Sequence, residues 1–207
     1  IKNKNPKINL DPKHQHKKFR TDYHRRAFEL KQRKDLNFKV PVRISTYHPL
    51  VRTSKKLLEK IDNSEKRLSY WEVASENDIL PIHTNLKLRV RALRFIDTLI
   101  KVVEAMDCKI IFYCNSAHVE MFGQKTEINL RQKVYRIRTK DESGWGWESW
   151  EASDKLEFQA GPSFRKKSWI DNTKRKLEEC LPEIIAWIEK DSKYWHDLRA
   201  RQAIEEN

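Results

Sequence analysis

No glycine occurs before residue 123, and the four in the chain stand at 123, 144, 146 and 161. Tight hairpin turns favour residues that accept positive φ, and glycine does so without a Cβ penalty. The strands of any sheet are therefore expected in the stretch that these glycines punctuate.

The hydrophobic period agrees. Over 85–106, Leu86, Val90, Leu93, Ile96, Ile100 and Val103 recur at spacings of 4, 3, 3, 4 and 3. That is a core-facing helical stripe, widened by Phe95, Leu99 and Val102. The period then shortens. Residues 108–114 (CKIIFYC) and 117–122 (AHVEMF) read as strands, and 126–138 (TEINLRQKVYRIR) as a long third one. Its apolar set changes parity between Val134 and Tyr135, which predicts a bulge near Gln132. Residues 155–160 (KLEFQA) alternate as a fourth strand, and 139–153 (TKDESGWGWESWEAS) read as a loop.

Leu177, Leu181, Ile184 and Ile188 mark a C-terminal helix over 171–205, capped by Asp171 or Asn172 and kinked or broken at Pro182. Upstream, 21–35 reads as a short helix and 38–46 as extended. Pro49 opens another helix, and 62–83 is polar helix or loop. Short connections favour hairpins. The fold class is therefore α+β: an antiparallel sheet of three to four strands at about 108–160, flanked by the 85–106 helix and the C-terminal helix. The domain reading is a basic arm or linker over 1–47 and a body over 48–207.

Charge separates the same two parts. The net charge is +13, and residues 1–60 hold 18 lysines and arginines against 5 acids. Residues 61–207 hold 25 of each sign, so the excess belongs to the front of the chain. A basic arm on a neutral body attracts polyanions, nucleic acid first. Lys13, Lys17, Lys18, Arg20, Arg25, Arg26, Lys31, Arg33 and Lys34 are the expected phosphate contacts. Phe19, Tyr23 and Phe28 lie among them, available for base stacking or for a small local core. Lys166, Lys167, Lys174, Arg175 and Lys176 form a second basic cluster, expected near the start of the last helix. Certain RNA-binding domains meet phosphates at that position, although the extra strand and long tail helix depart from their pattern.

Trp145, Trp147 and Trp150 lie among Asp141, Glu142, Glu148 and Glu151. They are expected either to anchor a protein partner or to cover an apolar patch. Catalytic signals are absent. The sequence has no phosphate-cradling glycine loop, no H-E-x-x-H and no G-x-S-x-G. A metal-dependent nuclease would need an acid followed by E-x-K or Q-x-K, but Glu127-Ile128-Asn129 and Glu157-Phe158-Gln159 lack the lysine. An enzyme is not expected, and neither is a cofactor. Cys108 and Cys114 read as small buried residues, and His14, His16, His24 and His48 as polar residues without ligand spacing. Sparse cysteines point to a reducing cytoplasm. No apolar run is long enough to span a bilayer, and no leader follows Ile1. The missing methionine suggests a longer natural chain.

His48-Pro49-Leu50-Val51 with Thr53 and Leu57, Arg91-Ala92-Leu93 with Ile96-Asp97 and Leu99-Ile100, and Trp169, Asp171 and Leu177-Glu178 resemble a group of uncharacterised bacterial proteins. The resemblance covers about residues 48–190. Members of that group carry a small helix-turn-helix-like segment before this region, so it implies a bacterial cytosolic origin and a DNA-binding segment upstream of Ile1. It transfers no catalytic residue, and no helix-turn-helix is visible in this chain.

The expected function is a nucleic-acid-associated module, DNA before RNA, of a bacterial regulator, defence or mobile-element protein. The alternative is a non-catalytic subunit that binds a protein partner or a second copy. A third reading is a nuclease or hydrolase resting on a strand-borne acid such as Glu157.

Overall fold

The computed structural model describes residues 18–64, 69–140, 142 and 144–205. Lys13, Lys17, His14, His16 and Asp141 lie outside the described residues. The helices are α1 (Asp22–Gln32), α2 (Pro49–Asp62), α3 (Tyr70–Glu76), α4 (Leu86–Ala105) and α5 (Leu181–Glu205). The strands are β1 (Ile82–His83), β2 (Lys109–Tyr113), β3 (Ser116–Met121), β4 (Gln124–Lys140), β5 (Gly146–Ala160) and β6 (Lys167–Ile170). The fold is α+β, as the sequence predicts, with more strands than expected.

Each helix start has a local cause. Pro49 occupies the first turn of α2, and the His48 ring accepts a hydrogen bond from the Leu50 amide. Ser69 and Glu72 form a reciprocal capping box on α3. The Asn85 side chain accepts from Leu88 at the start of α4.

The strands run in the order β2-β3-β4-β5-β6, each antiparallel to its neighbour. The turns after β2 and β3 have positive φ at both central residues: 49° and 58° at Cys114 and Asn115, 51° and 69° at Phe122 and Gly123. Such turns match the twist of the strands they join. The β4–β5 register shifts between Gln132 and Val134, where the bulge was predicted. β1 was not foreseen. Its two residues pair parallel with Leu130 and Arg131 of β4, too short a run to show a period.

Ile128, Leu130, Leu156, Phe158 and Ala160 share a sheet face and are buried. α4 packs there, with Phe95 and Phe158 ring centroids 5.6 Å apart. α5 closes the same face, where Thr126 Oγ1 and Ser192 Oγ lie 3.2 Å apart. Gly161 lets α5 approach. Its φ is 93°, and a Cβ there would stand 3.1 Å from the Trp187 ring.

Four expectations need correction. Leu86 and Val90 are 70% and 57% exposed, because the first turns of α4 bury the opposite side of the helix, through Leu88 and Ala92. The segment 139–153 is not a loop: β5 begins at Gly146, and Trp147 and Trp150 lie on a strand. The C-terminal α-helix starts at Leu181 rather than 171, with a short 3-10 turn at Leu177–Cys180 before it. Pro182 therefore sits in the first helical turn, where it lacks no needed hydrogen bond, and the break at Pro182 is realised. Residues 22–47 are not a loose arm. α1 packs along α5, Ala27, Leu30 and Leu36 join the core, and Phe38 and Val40 pack against it.

Candidate nucleic-acid interface

α1 owes its place to both its faces. Ala27 and Leu30 are buried against the body. Arg26 donates to both Glu189 oxygens of α5, at 2.7 and 2.8 Å, and to Glu29 at 3.3 Å. The hydrogen bonds to Glu189 outweigh burial and raise the Arg26 pKa. Phe19 packs on Phe28, with centroids 5.4 Å apart, which ties the chain before α1 to the helix. Of the two roles open to these rings, the structure shows the local contact.

The start of α1, where Tyr23 packs against the body, brings together basic groups from distant parts of the sequence. The Lys167 and Lys190 ammonium groups each lie 5.9 Å from the Tyr23 ring centroid. Arg20 is next to the start of α1, and Lys166 is next to Lys167; both are exposed. At the other end of α1, Lys31 shares a shallow groove with Lys39 and Arg175, and with the acids Glu178 and Glu179. The first and second basic clusters of the sequence thus flank one helix. α1 has 11 residues, a span of about 16 Å at the helical rise.

Not every expected cation is available there. Arg25 pairs with Asp22 at 3.3 Å, and Arg33 with Asp35 at 2.5 Å. The bond to Asp35 raises the Arg33 pKa, and the bond to Arg33 lowers that of Asp35. Arg175 donates to Glu183 at 2.7 Å and to the Glu179 carbonyl at 2.8 Å. Among the described residues Lys18, Arg20, Lys31, Lys34, Lys166, Lys167, Lys174 and Lys176 have no ion pair with a carboxylate. Lys174, Arg175 and Lys176 do not stand at an α-helix start. They precede the 3-10 turn, where Asn172 accepts from the amides of Lys174 and Arg175.

Sequence reasoning missed Lys190, and read Arg165 only as a neighbour of Lys166 and Lys167 in the second basic cluster. Lys190 lies in a helix with as many acids nearby, so segment-wise charge counting averaged it away. Arg165 stacks on two rings, 5.0 Å from the Tyr194 centroid and 5.3 Å from that of Trp195, and pairs with Asp191 at 2.7 Å. Aromatic residues at the end of an amphipathic helix are the signal that could have found it.

Trp145, Trp147 and Trp150 are 78%, 53% and 67% exposed. Trp147 and Trp150 lie on β5 in the far half of the β4–β5 hairpin, opposite Thr139 and Arg136.

The acids of the body serve the fold. Glu157 is buried, yet it accepts from Arg131 at 2.9 Å and from Gln159 at 3.1 Å, with Lys133 at 3.5 Å. Burial opposes its ionisation, but these partners prevail and its pKa is lowered. Its oxygens already face protein donors, which leaves the nuclease reading without an observation in its favour. His24 bonds Thr21 at 2.6 Å, and His48 caps α2 and reaches Glu104 at 3.0 Å. Among the described residues no group of three His, Cys, Asp or Glu side chains could hold a metal. Cys114, expected to be buried, is exposed in the β2–β3 turn. Burial pushes the Cys108 and Cys180 thiols up to about 11.

Comparison with protein families, with curated proteins and with solved structures returns no match.

Proposed function

We propose that this protein binds nucleic acid, DNA before RNA, through the basic surface around α1, as a non-catalytic module of a bacterial regulator, defence or mobile-element protein. The observation that carries the reading is the convergence at Tyr23 of Lys167 and Lys190, flanked by Arg20, Lys31, Lys34 and Lys166. Unpaired cations gathered around one helix supply charge for phosphates. The basic residues before Lys18 would extend the same contact along the backbone. Nothing in this arrangement reads sequence, so the expected binding is set by phosphates. Among the described residues no helix is long and apolar enough to cross a membrane.

Salt dependence tests it. If four of these cations engage a DNA duplex, the slope of log K against log salt is about −4, and affinity falls about 250-fold between 50 and 200 mM salt. The triple variant Lys31→Glu, Lys34→Glu, Lys166→Glu should weaken binding and flatten the slope while the circular dichroism spectrum stays unchanged. A salt-independent affinity, or one indifferent to the triple variant, would reject the proposal. Charge reversal is the cleaner test than deleting the front of the chain, because deletion would also remove Leu30 from the core.

A further inference from the structure

Past the bulge, the β4–β5 hairpin continues as a two-stranded ribbon, Val134–Lys140 against Gly146–Ala152, with every one of these residues exposed. A lone two-stranded ribbon is marginally stable in water; three or more strands with an apolar face are needed. Directly opposed residues share a face. One face carries Tyr135, Ile137 and Trp147, and the other Val134 and Trp150, all between 38% and 67% exposed. Among the described residues the outer edges of both ribbon strands are unpaired: β1 and β3 join β4 only up to Arg131, and β6 joins β5 only from Glu157. The ribbon offers apolar rings and open backbone groups together, the combination from which an added strand gains most.

The two edges are not equivalent. The β4 edge carries Arg136, Arg138 and Lys140, and cations on an edge resist a further strand. The β5 edge reads Trp147-Glu148-Ser149-Trp150-Glu151. Glu148 is already matched by Arg136 and, at 3.1 Å, by Arg138. The sequence of the β5 edge is also complementary to itself. Laid antiparallel to its own copy about Ser149, it sets Trp147 opposite Glu151 and Glu148 opposite Trp150, with no acid facing an acid. The β4 edge laid on itself about Ile137 would set Arg136 opposite Arg138, a destabilising like-charge pair. A two-fold interface joins one patch to the same patch, so self-complementarity is what it requires.

We propose that two copies of this chain join edge to edge through Gly146–Ala152, antiparallel about Ser149, so that two ribbons become one four-stranded sheet. On one face of that sheet, Arg136 and Trp150 of one copy continue into Glu148 and Arg138 of the second. On the other, Glu151, which has no ion pair among the described residues, lies against Trp147 of the second copy. The inference goes beyond nucleic-acid binding and does not depend on it.

Cysteine crosslinking tests the register. Cys114 is first replaced by Asn, which tolerates its positive φ, so that the exposed native thiol does not react. In that background Ser149→Cys should give a disulfide-linked dimer under mild oxidation, because the paired Cα atoms would lie about 4.5–5.5 Å apart, within disulfide reach. Glu151→Cys should not crosslink, its two copies being about 13 Å apart along the strands. Ile137→Cys should not either, being three strand spacings or about 14 Å from its mate. Sedimentation of the unmodified protein should give twice the chain mass. A monomer at every concentration, or crosslinking at 137 in place of 149, overturns the proposal. So does a monomer whose ribbon tryptophan fluorescence is quenched by duplex DNA, which would assign the ribbon to nucleic acid instead.

Discussion

Asp171 accepts from both terminal nitrogens of Arg91, at 2.5 and 2.8 Å, and from the backbone amides of Leu156 and Leu177, at 2.9 and 2.8 Å. Arg91 also donates to Glu178 at 2.6 Å. One carboxylate thus links α4, β5 and the turn before α5. Burial disfavours its charge, but Arg91 and the two amides outweigh that cost and its pKa is lowered. A carboxylate with a depressed folded pKa stabilises the fold fully above its unfolded value of about 3.9, and that stability is lost as pH falls through the folded pKa. Asp171→Asn would leave the Arg91 charge without its buried partner, at a cost of about 3 kcal/mol. The expected result is a melting temperature about 6–12 °C lower at pH 7, with the gap to wild type narrowing below pH 4; a constant gap down to pH 2 would contradict it. Arg91, Asp171, Leu177 and Glu178 are also residues on which the bacterial resemblance was read. The structure gives them, with His48 and Asp97, whose carboxylate takes the His48 amide at 2.6 Å, the work of joining elements. Such residues look functional in a sequence because polar groups in apolar surroundings stand out, and spacing alone does not say whether the partner is a ligand or another part of the chain.

Elements were legible where burial is one-sided and failed where it is not. The α4 stripe announced itself because Leu93, Ile96, Ile100 and Val103 are buried; Leu86 and Val90 kept the period but face away from the side that Leu88 and Ala92 bury. The first half of β5 was read as loop for a related reason. A ribbon exposed on both faces feels no pressure to alternate, so Gly146–Ala152 mixes tryptophan with acid and shows no period of two. β6 escaped notice because Trp169 is its one buried residue. α1 was legible as a helix from Tyr23, Ala27 and Leu30 at spacings of four and three, while its docking was not, since so short a stripe does not say which element it meets. Leu30 is nonetheless fully buried, and Leu30→Ala should cost about 2–5 kcal/mol. Proteolysis near residue 20 should rise in that variant before the rest of the molecule unfolds, whereas uniform protection would mean that α1 contributes nothing to holding its own segment.

At the scale of the molecule, the charge asymmetry of the sequence survives folding in altered form. Among the described residues, the cations of the first 60 positions do not hang from the body; part of them is laid along α5, and Glu189 and Glu29 consume Arg26. What remains outward is joined by Lys167 and Lys190, which the neutral average of residues 61–207 had hidden. The candidate interface was therefore half legible: charge counting finds which stretch is basic, but only tertiary contacts show which cations are matched and which distant ones join them.

The pairing of Arg26 with Glu189 spans 163 positions. A ribosome adding about 5–20 residues per second needs roughly 8–30 s to make that stretch. Throughout this interval the first helix has emerged and its berth has not, so nascent chains halted before Leu181 should lose the α1 segment to added protease, while completed chains keep it. During each round of synthesis the most cationic portion of the protein stays undocked beside the anionic RNA of the machine that makes it.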